Sequence, residues 1–173
     1  MSGLAPFVIG VAGWKNSGKT TLVVKLVREL TKRGYRVSTV KHSHHDVEFE
    51  APGTDSARHR EAGARDAVLV SPRRWAIVHE MRDEPAPELE EIVARLTPAD
   101  IVIVEGYKHE PICKIEVRRH GQSEGPPLAG TDPLVVAIAA DHAVTDAGLP
   151  VFDLDDAPGL ADLVLAKSGL VTT

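Results

Sequence analysis

Apolar and polar positions along the chain fall into two alternating periodicities. Short runs of mostly β-branched apolar residues recur at 7–12 (FVIGVA), 36–40 (RVSTV), 66–70 (DAVLV), 100–104 (DIVIV), 134–139 (LVVAIA) and 150–154 (PVFDL). Unbroken apolar character is what a strand needs when both of its faces are covered, and the intervening segments are long enough for crossovers, so these six runs are predicted to be parallel strands. Between them the spacing changes to three and four. Leu22, Val23, Leu26, Val27 and Leu30 form a stripe, Lys25, Arg28 and Glu29 lie off it, and Gly34 offers a stop, which predicts a helix over 18–33. A second helix is predicted from Thr54 to Gly63, a third over 87–96 with Leu89, Ile92, Val93 and Leu96 inward, and a fourth over 160–166. Two more stretches, 74–81 and 113–119, alternate in part and have no helix after them, so antiparallel additions at a sheet edge are expected there. The pattern is that of an α/β protein, a mostly parallel sheet flanked by helices with antiparallel edge strands.

Length and charge narrow the picture. The 173 residues suit one domain spanning 1–173, and 20 basic against 25 acidic residues leave a net charge of −5, which speaks against general affinity for nucleic acid or anionic membranes. The longest apolar run, LVVAIAA at 134–140, is far short of the roughly 18 residues of a membrane helix. A single cysteine, Cys113, excludes an internal disulfide framework, and the first residues carry no secretion pattern, so the expected location is the cytoplasm. Cys113 is expected to be a buried structural thiol and Trp75 a core or interface residue. The Gly- and Pro-rich segment 120–132 reads as a loop.

The strongest chemical signal is GWKNSGKT at 13–20, which fits G-x-x-x-x-G-K-[ST] between a predicted strand and a predicted helix. A polyphosphate needs a concave ring of backbone N–H groups and the positive end of a helix dipole. Gly13 and Gly18 permit the bend, with Lys15, Asn16 and Ser17 completing the cradle. Lys19 is placed to reach the β- and γ-phosphates, and the Thr20 hydroxyl to ligate Mg²⁺. Such a site also needs an acidic residue at the carboxyl end of a neighbouring buried strand, and Glu105 in DIVIVEG supplies it, whereas Asp100 stands at the entering end. Lys19 and Glu105 are therefore the residues expected to carry any phosphoryl chemistry.

Other polar clusters follow strands too. KHSHHD at 41–46 places Lys41, His42, His44, His45 and Asp46 near the same sheet edge. Its spacing matches no tetrahedral zinc template and no cysteine is near, so the imidazoles are read as hydrogen-bond donors or solvated groups, and Asp46 as an oxygen ligand for Mg²⁺ or its water. Thr54 and Asp55 are helix caps or, with Arg58 and Arg60, part of a loop sensing the γ-phosphate or a substrate. Lys108 and His109 follow Glu105-Gly106 and face either the site or solvent. Asp141 in AADHAV also follows a strand, where it is either a turn residue or an acceptor for the N–H groups of a nucleotide base, and no N-K-x-D segment is present.

Taken together, GWKNSGKTTL, VKHSHHD, PGTDSARHREAGA, the tryptophan in RRWAIV and VIVEGYKHEPICKIEV resemble the molybdopterin-guanine dinucleotide biosynthesis protein B (MobB) family of phosphate-loop (P-loop) NTPases, in order from about residue 7 to 165. The resemblance implies a GTP-binding protein of weak GTPase activity, acting beside a MobA-like guanylyltransferase that joins GMP to molybdopterin, with molybdopterin or the molybdenum cofactor as a further partner. It also implies a homodimer, to which edge strands such as 74–81 and 113–119 contribute. On the matched positions, Gly13, Gly18, Lys19, Thr20 and Thr21 would cradle GTP, and His42, Asp46, Asp55, Glu105 and Lys108 would line the pocket. Slow hydrolysis is expected because no glutamine or arginine is evidently dedicated to the attacking water. The competing class is a small phosphate-loop kinase holding a metabolite with Lys41, Arg58 and Lys108.

Overall fold

The computed structural model describes residues 5–43, 46–121, 125–145 and 148–170. They fall into two compact units, one formed by Met1–His42 and Leu96–Thr173, the other by Ser43–Arg95.

The first unit is built on six strands: β1 (Phe7–Ala12), β2 (Val37–Lys41), β5 (Ile101–Glu105), β6 (Lys114–Arg118), β7 (Val135–Ala140) and β8 (Val151–Asp153). Their order is β2-β5-β1-β6-β7-β8, and every neighbouring pair is parallel. All carboxyl ends therefore lie along one edge, where ligands of open α/β sheets collect. Helices α1 (Lys19–Lys32) and α4 (Ala157–Ser168) pack on the sheet. Ile9, Val11, Ile101, Ile103, Ile115 and Val117 alternate onto the face that meets Leu22, Leu26 and Leu30 of α1 and Leu160 and Val164 of α4. Burying side chains of this size contributes roughly 1.5–3 kcal/mol each, which outweighs any single surface contact. Arg33 ties the two helices by pairing with Asp162.

Strand β6 corrects one expectation. The segment 113–119 is no antiparallel edge: β6 runs parallel between β1 and β7. Its polar positions suggested a solvent-facing side, but Lys114 and Glu116 are each 1% exposed. Lys114 Nζ bonds Asp132 Oδ2 at 2.7 Å, and Glu116 accepts from the Leu128 and Ala129 amides and from Arg118 Nη2 at 2.8–2.9 Å. A buried charge persists only when paired and hydrogen-bonded, as these are. The loop that supplies the partners lies within the Gly- and Pro-rich segment.

The second unit contains α2 (Asp55–Glu61), α3 (Leu89–Arg95) and the strands β3 (Asp66–Val70) and β4 (Trp75–His79). β3 was expected among the parallel strands, yet it pairs antiparallel with β4 in a separate two-stranded sheet. Its apolar run is not buried, for Val68, Leu69 and Val70 are exposed, and Trp75 is no core residue. Glu50 organises the entry to α2, taking bonds from Thr54 and Ser56 and an ion pair from Arg60. Among the described residues, no helix is long and apolar enough to cross a membrane.

Candidate functional site

The loop between β1 and α1 has the geometry its sequence predicts. Gly13 has φ 150°, and a Cβ there would stand 2.5 Å from the Val117 carbonyl, so only glycine lets the loop pass β6. Asn16 and Gly18 adopt left-handed conformations at φ 61° and 96°, which turn the backbone into a cup. Helix α1 then starts at Gly18 without a side-chain cap and with no acidic residue in its first turn. Helix α4 is different, because the Asp156 carboxylate accepts from the Gly159 amide. No capping side chain and no acidic residue thus meets the positive end of the α1 dipole, the arrangement an anion site uses.

Side chains converge on this cup. Lys19 Nζ donates to the Trp14 carbonyl at 2.6 Å, across the mouth of the loop. Thr20 Oγ1 donates to Glu105 Oε1 at 2.6 Å, joining the first turn of α1 to the end of β5, and Glu105 is buried. Lys41 Nζ lies 3.3 Å from that carboxylate oxygen and 3.4 Å from Thr20 Oγ1, so positive charge is already held at these two oxygens. A hydroxyl and a carboxylate side by side are hard oxygen donors, a set that fits Mg²⁺. Gly106, at φ 98°, turns the chain closely past the His42 carbonyl, and the His42 ring tilts against Tyr107 at 4.9 Å. Lys108 Nζ sits 4.0 Å from the centre of the Trp14 ring, and Trp14 Nε1 donates to the Pro126 carbonyl at 2.9 Å. Both lysines near the mouth are thus held by Trp14, one by its carbonyl and one by its indole.

Beyond the first turn of α1, a cavity of about 170 Å³ is lined by Gly18, Thr21, Lys25, Asp141, Asp153 and Asp155. The structure brings Asp141 to the same cavity as the loop. Its carboxyl is held below the usual range, chiefly by the His142 ring and then by the His120 amide. Arg119 Nε approaches its other oxygen at 3.6 Å.

Of the site residues expected from sequence, Gly13, Lys15, Asn16, Ser17, Gly18, Lys19, Thr20, Thr21, His42, Glu105, Lys108 and Asp141 all belong to the first unit, at the carboxyl edge of its sheet. Asp46 and Asp55 belong to the second unit, where Asp46 Oδ1 accepts from the Val47 amide and Asp55 opens α2. His44 and His45 lie outside the described residues. Asp100, read as facing away, pairs with Arg36 at 2.6 Å at the opposite end of β5, and the hydrogen bonds from Arg36 hold its carboxyl below the usual range. Cys113 is half-buried, its carbonyl accepting from the Gly10 amide. Sequence reasoning missed Trp14, Arg118 and Arg119 as site residues. Assigning 114–118 to the parallel sheet would have pointed to the two arginines at its carboxyl end.

The parallel sheet, the left-handed loop and the uncapped helix, with the Thr20–Glu105 contact beside them, define a phosphate-loop nucleotide-binding α/β protein. Residues 8–141 match the family model for "Molybdopterin guanine dinucleotide synthesis protein B". The chain belongs to this family, MobB. It is 38% identical over 160 residues to the molybdopterin-guanine dinucleotide biosynthesis adapter protein of Escherichia coli, covering 91% of each chain. The adapter protein of Haemophilus influenzae is also 38% identical over 160 residues, covering 91% of this chain and 86% of that one. A crystal structure of molybdopterin-guanine biosynthesis protein B superposes with a TM-score of 0.73 at 26% identity, over 94% of this chain and 99% of the other.

Proposed function

We propose that this chain is a GTP-binding adapter of molybdenum cofactor biosynthesis, acting in the cytoplasm beside a MobA-like transferase that joins GMP to molybdopterin. The observation that carries the nucleotide part is the 2.6 Å contact between Thr20 and Glu105 next to a helix start with no side-chain cap, because those two oxygens would bind Mg²⁺ while the loop amides and Lys19 take the phosphates. When bound, Mg²⁺ would neutralise charge between the β- and γ-phosphates. Lys41 would have to withdraw from the pair, and Lys19 and Lys108 would exchange Trp14 for phosphate oxygens.

Guanine preference is assigned to the cavity beyond Thr21. Its lining carboxylates Asp141, Asp153 and Asp155 suit the N1 and N2 hydrogens of guanine, whereas adenine presents an unprotonated N1 there. The family resemblance further implies nucleotide-binding roles for His42, Asp46 and Asp55. Weak hydrolysis follows because Lys19 and Glu105 stand at the cup while no side chain among the described residues is dedicated to the water, a deficit that costs about 10³–10⁵ in rate. A kinase would need Lys41 and Lys108 at an acceptor, and the match to the adapter family supports the adapter reading instead.

Titrating GTP and ATP with and without Mg²⁺ tests the proposal. Tighter GTP binding is expected, strengthened by Mg²⁺ and weakened at least tenfold, about 1.4 kcal/mol, by Lys19→Ala. An affinity changed less than twofold by that substitution would remove the phosphate-loop assignment, and label from GTP appearing on an acceptor would favour the kinase.

A further inference from the structure

We propose that a cavity of about 240 Å³ beside the phosphate loop is a second ligand site, taking the phosphate group of a small phosphomonoester other than the nucleotide. Its walls include Trp14 and Ser17 of the loop, Arg118, Arg119 and His120 at the carboxyl end of β6, and His142 after β7. Because β6 pairs directly with β1, an occupant here lies next to the phosphate cup.

The chemistry of the wall selects the ligand. Two guanidinium groups and two imidazoles border the cavity, with the imidazoles meeting edge to face at 5.9 Å. On two residues of the wall, Ser17 Oγ and Arg118 Nε are buried without any hydrogen-bond partner. A buried donor left unpaired is costly, and a ligand acceptor that drew these side chains toward the cavity would relieve that cost. The acidic member of the wall, Glu116, has both oxygens committed to the Leu128 and Ala129 amides and to Arg118. Arg119 and the His142 ring also contact Asp141, so an occupant would meet their remaining N–H groups with those of Arg118 and His120, and arginine forks match phosphate oxygens in pairs. The neighbouring cavity beyond Thr21 sets three carboxylates against Lys25 and Arg119, and its carboxylates suit the N–H edge of a base.

The natural occupant is named only through the proposed function, on which that identification rests. A dinucleotide is joined through a phosphate on each half, so the partner of GMP in molybdopterin-guanine dinucleotide is itself a phosphomonoester. This site would hold the phosphate end of the pterin beside the triphosphate.

The test is equilibrium binding of 6-hydroxymethylpterin monophosphate to the whole chain, with GTP binding measured on the same samples. Expected is saturable binding that Lys19→Ala and saturating GTP change less than twofold, and that Arg118→Gln weakens at least tenfold. Arg118 also supports buried Glu116, so a double variant, His120→Gln with His142→Gln, is tested beside it and should weaken the probe at least fivefold without changing the melting temperature. Competition by GTP, or loss of the probe in Lys19→Ala, would mean that it enters the phosphate cup, and the proposal falls. It falls equally if the probe does not bind, or binds the wall variants unchanged. If the probe behaves as expected but GTP does not bind, the second site stands and the nucleotide assignment alone is lost.

Discussion

Gly13 shows how much one position constrains. It combines φ 150° with backbone 2.5 Å from where a Cβ would stand, and that backbone is Val117 of β6, so a side chain would push the loop off its neighbouring strand. Gly13→Ala is expected to destabilise the fold by about 1–3 kcal/mol in urea denaturation and to lower GTP affinity by a larger factor than the conservative Ser17→Thr. Thr20 and Glu105 make a different prediction. Thr20→Val removes the hydroxyl while keeping the shape, so GTP should still bind, but the strengthening by Mg²⁺ should fall at least fivefold in the same titration. The residues of this motif were legible in sequence because a phosphate loop is local: one loop supplies the amides, the lysine and the hydroxyl. Trp14 was not. Its role depends on Lys108 and Pro126, which are remote in sequence and reach it only in the folded chain.

At the scale of elements, helix α1 was readable because its apolar stripe has helical spacing and Leu22, Leu26 and Leu30 are all buried. Leu26→Ala should cost about 2–5 kcal/mol, measured by chemical denaturation. Strand β6 was misread because alternation of apolar and polar residues reports burial only when polar side chains face water, and here Lys114 and Glu116 are buried with partners. Their chemistry makes acid stability a test of the element. Burial pushes the Glu116 carboxyl up, but hydrogen bonds from Arg118, Ala129 and Leu128 outweigh it and leave the folded group below its ordinary value of 4.5. A carboxyl lowered on folding contributes stability that is complete above the unfolded value and is lost as pH falls through the folded one. Unfolding free energy should therefore decline from about pH 4.5 downward, and Glu116→Gln should lower stability at pH 7 while flattening that decline. An equally steep acid slope in the variant would show that Glu116 contributes nothing to it.

For the molecule as a whole, the homodimer that the family resemblance implies would rest on the β3–β4 hairpin, since β6 is interior. Val68 pairs with Ile77 and Val70 with Trp75, so these four exposed side chains share one face of the two-stranded sheet. A hairpin this small is marginal by itself, and an apolar face on it invites a second copy. Trp75→Ser with Ile77→Asp should give a monomer in sedimentation velocity while leaving Mg²⁺-dependent GTP binding within twofold. A wild-type chain that already sediments as a monomer would remove the dimer proposal. The sequence by itself determined the fold class, the phosphate-loop motif between a strand and a helix, and the family, because each rests on local periodicity or on residues at fixed spacing. Tertiary structure decided what lies between β1 and β7, which apolar run is exposed, and that Asp141 shares a cavity with Gly18 and Thr21. Those outcomes depend on which strands become neighbours, and strand neighbours are chosen by burying side chains and satisfying charges across the whole sheet, a sum that no single segment contains.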